Sequence, residues 1–138
     1  GGYVSKDGRI QMAKVLIVDD SPTQIFTLKN LVQEWGHEAL TAENGGQAIE
    51  VAHQEQPDVI LMDIIMPGMS GFQTTRKLSR DPATRAIPVI FVSTKDGEAD
   101  RVWGMRQGAR DYIVKPAVEG DLIERINKVL GVGRDYEA

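Results

Sequence analysis

Val59-Ile60-Leu61-Met62-Asp63-Ile64-Ile65-Met66-Pro67-Gly68 is an apolar run that ends on a carboxylate and then turns. Consecutive apolar residues of this kind suit a strand buried on both faces. Pro-Gly marks the turn after it. A carboxylate at the end of a buried strand is costly to desolvate unless it is paired or used. Working outward, Val15-Leu16-Ile17-Val18 runs into Asp19-Asp20, and Tyr112-Ile113-Val114 runs into Lys115-Pro116. In a parallel sheet the C-terminal strand ends open on one edge, where ligands bind. Three strands would therefore bring three carboxylates and one ammonium to a single crevice. That set suits a divalent cation plus a phosphoryl group.

Five strand-like segments, at 14–19, 38–42, 59–63, 89–93 and 111–115, alternate with five helix-like ones. Alternation of this kind predicts an α/β fold, a parallel sheet with helices on both faces. The first helix should start at Ser21, with Pro22 at its first position, where the missing N–H costs nothing. Ile25, Leu28, Val32 and Trp35 recur at helical spacing, which places Trp35 in the core. The second helix is expected over about 46–54, the third after Ser70-Gly71, and the fourth over about 97–107 with Val102 facing inward. Leu122, Ile123, Ile126, Val129 and Leu130 form the stripe of the fifth.

The 138 residues fit one domain, assigned to 13–131, with a tail at 132–138. Residues 1–12 lack periodicity and are assigned to a cloning remnant or flexible tail. Without cysteine there is neither a disulfide framework nor thiol chemistry. A net charge of −4 with mixed signs gives no footprint for nucleic acid. No apolar stretch approaches the ~20 residues of a membrane span, so a cytoplasmic protein without membrane insertion is expected.

Asp63 is the candidate nucleophile, since carboxylates form acyl phosphates. A hard cation can take one carboxylate from Asp63 and one from Asp19-Asp20, with backbone oxygen and water filling its shell. Magnesium suits this, because it keeps several waters and few carboxylates. Without the cation the clustered carboxylates repel, and their proton affinities rise. Asp20 could instead cap the helix at Pro22, but capping leaves Asp63 unexplained. Lys115 would hold a phosphoryl oxygen as a point charge. Ser93-Thr94, at the end of the fourth strand, offers a hydroxyl to another, or else satisfies its own turn. Tyr112 lies within the fifth strand with its hydroxyl able to point in or out.

Val18-Asp19-Asp20, Met62-Asp63-Ile64-x-Met66-Pro67-Gly68-Met69-x-Gly71, Pro88-Val89-Ile90-x-Val92-Ser93, Gly108-Ala109-x-x-Tyr112 and Lys115-Pro116 occur in this order. Together they resemble the receiver domain of bacterial two-component response regulators over residues 13–130. The resemblance implies a flavodoxin-like, doubly wound (βα)5 sheet with strand order 2-1-3-4-5. It implies that Asp63 accepts phosphate from a histidine kinase, with one of the chemotaxis type as a candidate. Asp20 and Asp63 would bind Mg2+ directly with the Ile65 carbonyl, and Asp19 through water; Mn2+ could substitute. Ser93 and Tyr112 would be the switch pair, Ser93 swinging toward the phosphoryl group and Tyr112 turning inward behind it. The face of the fourth helix, fifth strand and fifth helix would change and alter binding of an unidentified protein target. A monomer is expected, with dimerisation on phosphorylation as the alternative. Glu43-Asn44-Gly45-Gly46, Ser93-Thr94-Lys95-Asp96 and the segment from Asp100 to Tyr112 look like the stand-alone PilH-type regulators of type IV pilus twitching motility.

Ile65 and Lys95 would flank the path of hydrolytic water if the resemblance holds. Trp103, Arg106 and Tyr112 are candidates for a partner surface, since Trp and Arg anchor interfaces. Three other functions compete. A phosphate sink for a sister regulator would use the same site. A magnesium-dependent aspartyl-phosphate phosphohydrolase would need a general acid where this chain has Ile65. A flavin binder would meet repulsion between Asp19-Asp20 and its phosphate.

Overall fold

The computed structural model describes residues 12–131, preceded by a short antiparallel ladder between Tyr3–Val4 and Ile10–Gln11. The ladder falls where the sequence suggested no element. The expected tails otherwise lie outside the described residues.

The main sheet has five parallel strands: β1 (Lys14–Val18), β2 (Glu38–Ala42), β3 (Val59–Met62), β4 (Val89–Ser93) and β5 (Asp111–Val114). They lie in the order β2-β1-β3-β4-β5, as expected. Between and after them come α1 (Pro22–Glu34), α2 (Gly45–Glu55), α3 (Gly71–Arg80), α4 (Glu98–Arg106) and α5 (Glu119–Val129).

Side-chain alternation within the apolar runs produces two cores, one on each face of the sheet. Leu16, Val18, Ile60, Met62, Val89, Phe91 and Tyr112 pack with Ala48 and Ala52 of α2 and Leu78 of α3. Val15, Ile17, Val59, Leu61, Ile90, Val92 and Ile113 pack with Leu28 and Val32 of α1 and with Leu122, Ile123 and Ile126 of α5. Covering both faces is why these strands read as continuous apolar runs. Local chemistry fixes the helix starts. Ser21 accepts the Gln24 N–H, Asn44 accepts the Gln47 N–H, and Ser70 and Gln73 form a reciprocal capping box.

Two inward assignments are corrected. Trp35 is 43 % exposed, and its indole N–H donates to Glu119 at 3.2 Å. It stands at the C-cap of α1, where the backbone has left helical geometry and the 3.6-residue period no longer sets side-chain direction. Val102 is 45 % exposed, and Gly104 is the buried residue of α4. A glycine carries no hydrophobic signal, but here it lets α4 approach the rings of Phe91 and Phe72, which a Cβ would meet at 3.0 and 3.4 Å.

Gly71 shapes the turn that carries Asp63. A Cβ there would collide with the Asp63 carbonyl oxygen, and the Gly71 N–H donates to the Ile64 carbonyl at 2.8 Å. The start of α3 thus braces the turn after β3. Gly71→Ala is expected to lower stability by about 1–3 kcal/mol through overpacking. Gly120→Ala, in α5 with open space around its Cβ, is expected to raise it by up to about 1 kcal/mol through helix propensity. Urea denaturation of both variants checks the opposite signs.

Candidate functional site

Asp19, Asp63 and Lys115 each stand one residue past the end of their strand, one position short of the sequence expectation. Their N–H groups still continue the ladder: Asp19 to Ala42 at 3.1 Å, Asp63 to Val18 at 2.9 Å and Lys115 to Ser93 at 2.8 Å. The backbone is held as in a strand while the side chains reach the sheet's open edge.

Asp19, Asp20 and Asp63 each present a carboxylate oxygen within 4.8 Å of the others. Asp19 and Asp63 are buried and Asp20 is exposed. Lys115 Nζ lies 2.9 Å from Asp19 Oδ2 and 3.5 Å from Asp63 Oδ1. Asp19 Oδ1 also accepts the Ser21 N–H at 2.9 Å, and Asp63 Oδ1 accepts the Ile64 N–H at 2.8 Å. Capping of α1 falls to Ser21 and not to Asp20. The Asp20 carboxylate makes no hydrogen bond or ion pair among the described residues and remains available to a ligand.

Burial pushes the Asp63 carboxyl above its ordinary range, and the neighbouring Asp19 charge adds to this. The Lys115 ammonium and the Ile64 N–H oppose the shift without cancelling it. Three hard oxygen donors with incomplete charge compensation fit Mg2+ or Mn2+, and Asp63 beside Lys115 fits phosphoryl acceptance.

Ser93 is fully buried, and its Oγ accepts the Lys95 N–H at 3.2 Å. Thr94 is exposed. Ile65 is 57 % exposed, and the Lys95 ammonium lies 3.9 Å from Asp100. Tyr112 points inward, 3 % exposed, with its hydroxyl donating to the Lys95 carbonyl at 2.6 Å. That arrangement divides the expected partner surface. Trp103, at 48 %, and Arg106 are exposed, whereas Tyr112 is core and contributes no surface. Burial raises the Tyr112 hydroxyl's affinity for its proton. Two participants were missed in the sequence: Gly71 behind Asp63, and Arg101, whose guanidinium sits 5.3 Å from the Tyr112 ring centre. Both act through contacts between distant segments, and only the Ser70-Gly71 helix start was a local signal.

Residues 15–127 match the family model of the response regulator receiver domain. Protein PilH of Pseudomonas aeruginosa is 58 % identical over 86 % of this chain and 98 % of its own length. Response regulator PleD of Caulobacter vibrioides is 38 % identical over 85 % of this chain, which spans only 26 % of that protein. Among solved structures, chemotaxis protein CheY4 of Vibrio cholerae superposes with a TM-score of 0.81 at 30 % identity, covering 86 % of this chain and 99 % of that one. The receiver domain of a Pseudomonas aeruginosa sensor histidine kinase, solved with a magnesium ion in its active-site cleft, superposes at 0.81 with 25 % identity over 88 % of this chain and 99 % of that one. No helix among the described residues is long and apolar enough to cross a membrane.

The raised Asp63 carboxyl makes a signed prediction. When folding raises a carboxyl's pKa, the protonated form favours the fold, and stability falls as pH rises through the folded value. At neutral pH, in EDTA, Asp63→Asn should therefore melt higher than the parent. The advantage should vanish as pH falls below 3.8, the ordinary value for Asp. Thermal melts across pH check this.

Proposed function

Because the chain belongs to the response regulator receiver domain family, we propose that it is a phosphorylation-dependent signalling switch in which Asp63 takes a phosphoryl group from a histidine kinase. A carboxylate oxygen of Asp63 attacks phosphorus, the P–N bond of the kinase's phosphohistidine breaks, and the departing imidazole keeps the electron pair and gains a proton. Asp19, Asp20 and Asp63, with the Ile65 carbonyl, would hold Mg2+, which supplies charge neutralisation to the phosphoryl oxygens. Lys115 shifts from its 3.5 Å approach to Asp63 onto a phosphoryl oxygen, and Ser93 or Thr94 donates a hydroxyl to another. The observation that carries this reading is the meeting of three carboxylates and Lys115 at one strand edge.

Tyr112 is already inward, so phosphorylation would stabilise this arrangement and not create it. The output is altered protein binding at the α4-β5-α5 face. The likeness to PilH favours a place in type IV pilus or chemotaxis-like signalling. Treatment with phosphoramidate and Mg2+, followed by intact-mass measurement, tests the acceptor. One phosphoryl group should be added to the parent and none to Asp63→Asn or to protein in EDTA. Equal modification of Asp63→Asn would refute the assignment.

The exposed Ile65 side chain gives incoming water no hydrogen bond and crowds its approach. Ile65→Asn should speed loss of the phosphoryl group by roughly tenfold, a barrier change of about 1.4 kcal/mol, within reach of one oriented water. Decay after removal of the phosphodonor measures it. Rapid decay in the parent would favour the phosphate-sink reading.

A further inference from the structure

Away from Asp63, the C-terminal halves of α3 and α4 enclose a groove of about 410 Å3. Arg76, Ser79 and Arg80 line one side, and Trp103, Arg106 and the Gln107-Gly108 turn line the other. The lining holds three guanidiniums and no carboxylate, in a chain whose net charge is −4. None of the three makes an ion pair or hydrogen bond among the described residues. Helix stability accounts for them only in part. Arg76 and Arg80 stand at i and i+4, where like charges repel. Arg80 and Arg106 occupy last turns and so offset the helix dipole, but Arg76 does not.

One hydrogen bond ties the two walls together, and a second orders the α4 wall itself. Ser79 Oγ donates to the Gln107 carbonyl at 2.9 Å, and the Gln107 side-chain amide donates to the Trp103 carbonyl at 3.3 Å. Gly108 takes φ 109°, and a Cβ there would collide with the Ser79 hydroxyl. The groove therefore exists before any ligand arrives, which limits the ordering cost of binding. Trp103 adds a 48 % exposed indole to the same wall.

We propose that the α3–α4 groove is a docking site for an acidic peptide segment of a partner protein. The guanidiniums pair with its carboxylates, for which their planar fork is suited. Trp103 seats an apolar side chain of the peptide, as Trp commonly does at interface centres. The lining offers a nucleotide base little to read, since Gln107, its buried polar side chain, already donates one of its two amide N–H groups to the Trp103 carbonyl. The remaining side chains are exposed or half-buried and present a broad charged surface rather than a slot for a base. This surface lies outside the phosphoacceptor site and does not depend on that reading.

The test uses a fluorescein-labelled octapeptide of alternating Glu and Leu, with a Lys–Leu octapeptide as control. The protein carries Trp35→Phe, which leaves Trp103 as its sole tryptophan. Anisotropy should report saturable binding of the acidic peptide alone, and Trp103 emission should change in parallel. Arg80→Glu with Arg106→Glu should weaken binding at least tenfold. Lys29→Glu with Lys128→Glu, an equal charge change on sites elsewhere, should weaken it less than threefold. Asp63→Asn should bind as the parent does, which separates this site from phosphoacceptance. Thermal melts confirm that each variant is folded. Absence of binding, an unchanged Trp103 signal, or equal losses in the two charge-reversal pairs would overturn the proposal. Displacement of the peptide by ATP at lower concentration than by unlabelled peptide would overturn it in favour of a phosphate ligand.

Discussion

One ammonium between two buried carboxylates is the interaction on which this structure turns. Lys115 reaches from the end of β5 to Asp19 at the end of β1, 2.9 Å away, and to Asp63 at the end of β3, 3.5 Å away. Buried like charges are tolerated only when paired or when an ion joins them. Here the pairing is incomplete, because Asp63 still holds its proton more tightly than an ordinary Asp. The deficit makes the cluster receptive to a cation. The sheet order sets β1 beside β3, so Asp19 and Asp63 meet across adjacent strand ends, and Lys115 reaches both from β5 across the end of β4.

The same edge is wired to a lightly anchored helix. Ser93 Oγ accepts from Lys95, the Lys95 carbonyl accepts from Tyr112, and Arg101 of α4 lies over the Tyr112 ring. Gly104 is the buried residue of α4, whereas α5 buries Leu122, Ile123 and Ile126. The N-terminal half of α4, which buries no residue, moves at small cost, while the C-terminal end stays tied to α3 through Ser79 and Gln107. In the proposed switch, movement of Ser93 would act on that half, the part of α4 least able to resist it.

Most of the frame was legible in the sequence, for a physical reason. Strands covered on both faces leave continuous apolar runs, as at Val15–Val18 and Val59–Met62, and helix starts leave local cap signals such as Ser21-Pro22 and Ser70-Gly71. The charged residues could be placed at one edge because parallel strands all end on the same side. What escaped depended on contacts between distant segments or on chain geometry beyond a helix. Trp35 was in phase with Leu28 and Val32 but stood past the last turn of α1. Gly104 and Gly71 had no side chain to announce their packing. The direction of Tyr112 was open in the sequence and is set by the Lys95 carbonyl, 17 positions away in the chain. Arg106 was a candidate for a partner surface, but nothing in the sequence joined Arg76 and Arg80 to it until two helices placed all three around one groove.

The central claim is that this electrostatic arrangement makes Asp63, and not its acidic neighbours, the acceptor. Borohydride reduction tests it most directly, because it converts an aspartyl phosphate to homoserine and leaves free carboxylates intact. After phosphoramidate and Mg2+ treatment, peptide mapping should find homoserine at position 63 and unmodified Asp at positions 19, 20 and 58. Homoserine at position 19 or 20, or a phosphoryl group borne by a residue that borohydride does not convert, would contradict the account.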